Sequence, residues 1–345
     1  MTHALTVSII NYRTPEMTTR CAASALEDLA RSGVDGRVVI VDNASGDGSA
    51  EALEAWAAAR PAGTPVTVLR SDTNSGFSGG HNRGMAAAPA GLYLLLNSDA
   101  LLRPGACAAL LAAARARPRA GLFAPRIEHE DGTPQVSAFR FASTLSEFAR
   151  GANTGWVDRL TGARRALGPD PDPEEIDWVS FACVALRGAM VDGIGPMDEG
   201  YFLYFEDAEY CLRARRAGWG IARVPEAVAV HFRGGSGPVK TLHKARKRMP
   251  AYYYASRTRF LYQAHGAAGL WAANAAWLAG RGLAQARRLA GRRPNPAAER
   301  EARDIWTNVR RPLGPRLAPW EVAAGRVAAT GEPGAAGPAG EKAAS

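Results

Sequence analysis

The chain has 345 residues, 47% of them hydrophobic and 22% charged, with a net charge of +9. That length supports one large α/β domain with an appendage, or two domains, and the composition excludes collagen, coiled coil and wholesale disorder. Cys21, Cys107, Cys183 and Cys211 form no CxxC pair and lack zinc-ligand spacing, so reduced, buried thiols and a cytosolic setting are expected.

The opening MTHALTVSIINY lacks a basic stretch ahead of a long apolar core, so it reads as a strand and not as a signal peptide. TPEMTTRCAASALEDLARSG predicts a helix with Pro15 near its start and Gly33 at its end. RVVIVDNAS is a second strand, and DGSAEALEAWAAAR a second helix capped by Asp47 or Ser49. TPVTVLRS, GGHNRGMAAAPA, GLYLLLNSDA and RPGACAALLAAARARP continue as strand, helix, strand and helix. This alternation predicts an open, mainly parallel sheet.

After Phe123 the rhythm breaks, and the stretch to Asp177 reads as irregular, either mobile or wrapped over a site. Pattern returns at IDWVSFACVALRGAMVDGIG, at an aromatic strand Tyr201–Phe205 with a helix behind it, and at the strand GIARVPEAVAVHF. Near the end, the apolar stretch Ala264 to Ala279 is shorter than the roughly 20 residues that span a bilayer. It predicts an interfacial helix, or a buried or dimer-forming one. Between Lys240 and Ala298 there is no Asp or Glu, which suits nucleic acid, anionic lipid or a phosphorylated substrate. The last residues, TGEPGAAGPAGEKAAS, read as a disordered tail.

Ligands of open α/β sheets bind beyond the carboxyl ends of the strands. There stand Asn11, Tyr12 and Arg13; Asp42; and Asn97, Ser98 and Asp99. A loop with Asn74, Gly76, Phe77, Gly80, Asn82 and Arg83 lies between the third and fourth strands. Asp42 can accept from a base or a ribose, the glycines permit close backbone approach, Arg83 offsets phosphate charge, and Asp99 suits a hard cation on a diphosphate. Taken singly, these are also turn formers and caps. Together they favour a nucleotide diphosphate, and no P-loop or GxGxxG signature competes.

Five ordered motifs, VSIINYRTP, VVIVDNASGDGS, NSGFSGGHNRGM, YLLLNSDALL and GPMDEGYFLYFEDAEYCLRARRAGW with His231 behind them, resemble family 2 glycosyltransferases of the bacterial rhamnosyltransferase-like branch. The resemblance covers roughly Leu5 to His265. It implies a GT-A nucleotide-diphospho-sugar transferase fold with a C-terminal helical extension. It divides the chain into a donor half (1–122), an acceptor and catalytic half (123–265), a basic, apolar extension (266–328) and the tail (329–345). It further implies inverting transfer from a nucleotide sugar, best matched by dTDP-L-rhamnose, to a cell-surface glycan or lipid-linked saccharide. Asn11, Tyr12, Arg13, Asp42, Asn74, Gly76, Phe77, Gly80, Asn82, Arg83, Asn97 and Ser98 would hold the donor. Asp99 and His231 would hold Mg2+ or Mn2+, and Asp207 would be the general base. Trp178, Asp198, Glu199, Tyr204 and Glu206 would face the acceptor. Two positions depart from the pattern: Asn97 replaces the first Asp of a DxD, and Phe181 stands where similar sequences have Gly.

An acid at an aromatic edge has a chemical use, since the acceptor hydroxyl must lose a proton as it attacks. Glu206 and Asp207 also suit a helix N-terminus, and Glu209 suits a pair with Arg213. Desolvation raises such an acid's pKa and the helix terminus lowers it, and the sequence leaves the balance open. An anionic inner membrane face and a homodimer are candidate partners, and nucleic acid is not expected. The alternatives are a UDP-sugar donor (galactofuranose, glucose or N-acetylglucosamine), a sugar-nucleotide nucleotidyltransferase, and a non-enzymatic anion binder.

Overall fold

The computed structural model describes residues 3–163, 165–232, 242, 244–289, 291 and 296–318. The first half alternates as expected: β1 (His3–Asn11), α1 (Pro15–Ser32), β2 (Gly36–Asp42), α2 (Ser49–Ala58), β3 (Val66–Arg70), α3 (Gly76–Ala87) and β4 (Ala90–Asn97). Gly33 ends α1 in the left-handed conformation, donating back to Leu29 and Ala30 carbonyls. At α2 the cap differs from expectation: Gly48 is the N-cap, and the Asp47 carboxylate accepts the Ser49 N–H at 3.1 Å.

β5 (Ala100–Leu102), α4 (Ala106–Ala116), β6 (Ala120–Glu128), β9 (Cys183–Arg187) and β10 (Gly220–His231) complete an eight-stranded sheet of order β3-β2-β1-β4-β9-β6-β10-β5. Its ladders are parallel except where β9 meets β4 and β6, and where β5 meets β10. The strands read as continuous apolar runs because both faces are covered. Leu5, Val7, Ile9, Val38 and Ile40 pack with Cys21, Ala25 and Leu29 of α1, while Leu95, Leu122, Val184 and Leu186 face the other way. All four cysteines are free and buried.

The stretch expected to be irregular holds more order than its pattern shows. It contains β7 (Ala138–Phe139), α5 (Thr144–Ala152), α6 (Gly155–Thr161) and β8 (Trp178–Val179). Ser143 and Ser146 form a reciprocal cap on α5, with Ser in the place where Glu or Gln is the usual signal. Conversely, Tyr201–Phe205 is not a strand. α7 (Gly188–Ile194) leads into it, and α8 (Glu206–Arg216) follows it.

α9 (Ala251–Leu289) breaks at Gly266, whose φ is 69°. Its first part packs on the aromatic run. Its second part lies against α5 so closely that a Cβ on Gly280 would sit 2.1 Å from the Phe148 carbonyl oxygen. The apolar stretch Ala264 to Ala279 is therefore partly consumed within the chain, with Leu270, Ala273 and Trp277 buried. α10 (Glu301–Asp304) closes the described part. Among the described residues no helix is long and apolar enough to cross a membrane. The loop after Phe232 and the expected tail lie outside the described residues.

Candidate active site

The carboxyl ends of β1, β2 and β4 and the start of α3 meet at one edge. Asp42 is buried and largely engaged: its Oδ1 accepts from Asn11 Nδ2 at 2.7 Å and Ser45 Oγ at 2.5 Å, and its Oδ2 accepts the Ser45 N–H at 3.1 Å, which leaves Oδ2 with acceptor capacity for a further donor. Asn11 turns its own Oδ1 to Thr18 Oγ1 at 2.8 Å. Arg13, with φ 59°, donates to the Ser45 carbonyl and lies over the exposed Tyr12 ring. Ser45, which the sequence did not single out, thus organises this corner.

The glycine loop is fixed with similar economy. Asn74 Oδ1 accepts from Asn43 Nδ2 at 2.9 Å and from the Gly76 N–H at 3.0 Å. Gly76 has φ 73°, and a Cβ there would lie 2.1 Å from the Phe202 carbonyl oxygen. Phe77 donates its N–H to that same oxygen at 3.0 Å and packs edge-on against His81. Burial pulls the His81 pKa down to about 3, so its ring is neutral beside Ser8 Oγ at 2.9 Å. Gly80 lets α3 approach β1, since a Cβ would meet Ile10 at 2.7 Å. Asn82 is spent on the segment ahead of the aromatic run, exchanging hydrogen bonds with the Met197 backbone and donating to Glu199 Oε1 at 3.1 Å. Arg83 is exposed.

Asp99 and His231 come together through the antiparallel β5–β10 pairing, which sets His231 opposite Ala100. His231 Nε2 lies 3.2 Å from Asp99 Oδ1, and both side chains are buried. Gln135 Nε2 donates to the His231 carbonyl at 2.6 Å and so pins the strand end. Asn97 and Ser98 are half-buried at the neighbouring turn. Ser98 and Asp99 line a cleft with Met17, Arg20 and Phe232. A carboxylate beside an imidazole suits a divalent cation whose other ligands are phosphate oxygens. Among the described residues no cluster of three or more acidic, histidine or cysteine side chains could form a metal cage.

Asp207 stands in the first turn of α8, behind two residues with left-handed backbone, Tyr204 (φ 70°) and Phe205 (φ 69°). Such a pair costs about 1–2 kcal/mol per residue and must be held from outside. α9 holds it: Tyr204 stacks on Tyr252, Phe205 packs on Tyr253 and Phe260, and Ser256 Oγ donates to the Leu203 carbonyl at 3.1 Å. The Asp207 Oδ1 accepts the Ala208 N–H at 2.8 Å. Desolvation nevertheless outweighs that bond and the other backbone N–H bonds, and lifts the Asp207 pKa to about 7. Burial, then the Asp207 charge, push Glu206 well above the usual carboxylate range. Glu209 forms its expected pair with Arg213 at 3.0 Å.

The remaining acceptor-side candidates are less open. Asp198 takes a two-point hydrogen bond from Arg259 at 2.9 and 3.0 Å and another from Gln263. Burial opposes its charge, but these bonds and the Gly200 N–H hold its pKa below the usual range. Asp198 therefore ties the aromatic run to α9. Trp178 stacks on Phe139 at 4.3 Å and donates to the Arg140 carbonyl. Phe181, the departure from the motif, is buried edge-on against Tyr210.

Residues 6–162 match the profile described as Glycosyl transferase family 2. The N-acetylglucosaminyl-diphospho-decaprenol L-rhamnosyltransferase of Mycobacterium tuberculosis is 29% identical over 257 residues, 70% of this chain and 78% of that protein. The low-salt glycan biosynthesis hexosyltransferase Agl10 of Haloferax volcanii is 26% identical over 231 residues, 66% of each chain. GalNAc-T7, solved with UDP, GalNAc and Mn2+, superposes with a TM-score of 0.53 at 16% identity, over 91% of this chain and 60% of its own. Residues 6–162 carry a family 2 glycosyltransferase domain on a GT-A-like scaffold, and the chain is a glycosyltransferase with rhamnosyltransferase-like relatives.

Proposed function

We propose that the chain is an inverting rhamnosyltransferase, moving L-rhamnose from dTDP-L-rhamnose to a hydroxyl of a lipid-diphosphate-linked saccharide. The carrying observation is the Asp207 carboxylate, desolvated and lifted to about 7 at the head of α8 behind an aromatic run. A base of that pKa is ionised in useful amount near neutral pH and still accepts a proton readily. Rhamnose and the lipid diphosphate follow the name of the mycobacterial relative.

In this reading Asp207 takes the acceptor hydroxyl proton as the oxygen bonds to the anomeric carbon. The carbon–oxygen bond to the diphosphate breaks, and the nucleotide diphosphate leaves with the electron pair. Asp99 and His231 would hold Mg2+ or Mn2+, whose positive charge would offset that of the leaving diphosphate. The glycine loop and the Asp42–Asn11–Ser45 corner shape the nucleotide pocket. Tyr204 and its neighbours screen the reacting centre from water.

The second part of α9 and α6 offer a surface for an anionic bilayer. Trp156, Leu160 and Leu289 are 44%, 76% and 92% exposed, and Arg287 lies over the Trp156 ring. Exposed aromatics beside cations suit the headgroup layer.

Calorimetric titration with dTDP, UDP and GDP, each with and without Mn2+, tests the donor. Tight, metal-dependent dTDP binding supports rhamnose, a preference for UDP moves the reading to a UDP-sugar, and no nucleotide binding removes it.

A further inference from the structure

Three arginines gather inside the chain around Glu147 of α5. Arg150 donates to Glu147 Oε2 at 2.7 Å and also reaches Glu301. Arg257 donates to Glu147 Oε2 at 2.7 Å and to Asn274 Oδ1 at 2.8 Å. Two carboxylates thus serve two guanidiniums. The third, Arg165, is left over. Its Nε is buried with no hydrogen-bond partner, and among the described residues its guanidinium has no ion pair. Its backbone is fixed, because the carbonyl accepts the Arg140 N–H at 2.8 Å and the next residue bridges to Phe139 of β7.

A part-buried cation with no counter-ion is costly, and a ligand anion removes that cost. The surroundings indicate which ligand. Arg165 interacts electrostatically with Glu147, Tyr253 and Asp207, against repulsion from Arg150 and Arg257. Its charge is thus felt by Asp207 and by Tyr253 of α9, and the β7 pairing of the adjacent Ala166 fixes its place in the fold. Glu147 is already taken, and Asp207 is not bonded to Arg165, so the base stays free to accept a proton.

We propose that Arg165 binds a phosphate group of the acceptor, holding the lipid-linked saccharide so that its hydroxyl reaches Asp207. This rests on the acceptor class proposed above. Phosphate could instead come from the donor diphosphate, so the experiment separates the two sources.

Rates would be measured with dTDP-L-rhamnose and two acceptors, farnesyl-diphospho-N-acetylglucosamine and the uncharged octyl N-acetylglucosaminide, for wild type, Arg165→Gln and Arg165→Lys. Loss of a charge-assisted bond raises KM for the diphosphate acceptor about 10- to 100-fold in Arg165→Gln. KM for the octyl acceptor and dTDP affinity stay unchanged, and Arg165→Lys recovers part of the loss. Inorganic pyrophosphate titrated into dTDP-saturated enzyme gives a readout independent of turnover: it binds wild type and not Arg165→Gln. Equal loss on both acceptors, weakened dTDP binding, unaltered pyrophosphate binding, or a wild type indifferent to the acceptor diphosphate would each overturn the proposal. Metal-dependent dTDP binding in the same samples shows that the donor reading stands when this one falls.

Discussion

His231 Nε2 and Asp99 Oδ1 lie 3.2 Å apart although 132 residues separate them in the chain, because β10 returns antiparallel beside the short β5. With Asn97 in the first DxD position, the proposed cation would rest on this pair. Asp99→Ala and His231→Ala are each expected to weaken Mn2+-dependent dTDP binding about 100-fold, and EDTA to reduce wild type to the same level. Calorimetry checks this, and metal-independent binding in wild type would sink it.

Asp207→Asn keeps an oxygen for the Ala208 N–H but loses the base. Transfer should fall about 100- to 10,000-fold with dTDP affinity intact. In wild type, kcat/KM should rise with pH around 7, as the carboxylate ionises. The stability effect runs the other way. Because the folded pKa is raised, the unfolded chain releases its proton first, and stability declines as pH rises from about 4 to 7. Asp207→Asn should therefore gain more in urea midpoint at pH 8 than at pH 5.

Glu147→Gln leaves Arg150 and Arg257 short of their shared carboxylate. Breaking a buried pair in this way costs about 3 kcal/mol, read as a lower urea midpoint. Glu51→Gln, whose partner Arg70 is exposed, should change the midpoint little.

Membrane attachment is testable apart from catalysis. The double variant Trp156→Ala, Leu160→Ala should lose sedimentation with phosphatidylglycerol vesicles while keeping dTDP affinity. Wild type that ignores such vesicles at low salt would remove the bilayer from the reading.

The parallel half of the fold was legible because β1, β2 and β4 are covered on both faces and must read as apolar runs, with turn residues at their ends. Asp42 and Asp99 stood out as polar residues at the ends of apolar strands, whereas Asp207 was chosen over Glu206 and Glu209 by the family resemblance. What escaped depends on distant partners. Tyr201–Phe205 resembles a strand in composition, yet two left-handed residues bend it, sustained by α9 about 50 residues away. α5 hides because its cap uses Ser146 and its polar face carries the buried Glu147. Arg165 sits in a stretch without periodicity, and only three-dimensional neighbours give it meaning. Asn82 and Asp198, expected as ligand contacts, also tie parts of the chain together, Asn82 through the Met197 backbone and Asp198 through the Arg259 side chain, and the sequence alone does not show those partners.

Gly76→Ala would force a Cβ to 2.1 Å from the Phe202 carbonyl oxygen at a φ of 73°. A cost of about 1–3 kcal/mol is expected, with both dTDP affinity and acceptor KM worsened. A variant that loses only one of the two would show that the contact is local.

That contact has a consequence for the order of events. One carbonyl, that of Phe202, receives the Phe77 N–H and also leads into the turn that aims Asp207. The glycine loop and the turn ahead of Asp207 thus share a mechanical joint. If sugar nucleotide shifts the loop, the turn must follow, and thermodynamic reciprocity then requires each substrate to change the other's affinity by one common factor. On the proposed reading, a donor that displaces the Gly76–Phe77 backbone would also displace the turn ahead of Asp207, so donor and acceptor binding would be linked through a single carbonyl oxygen.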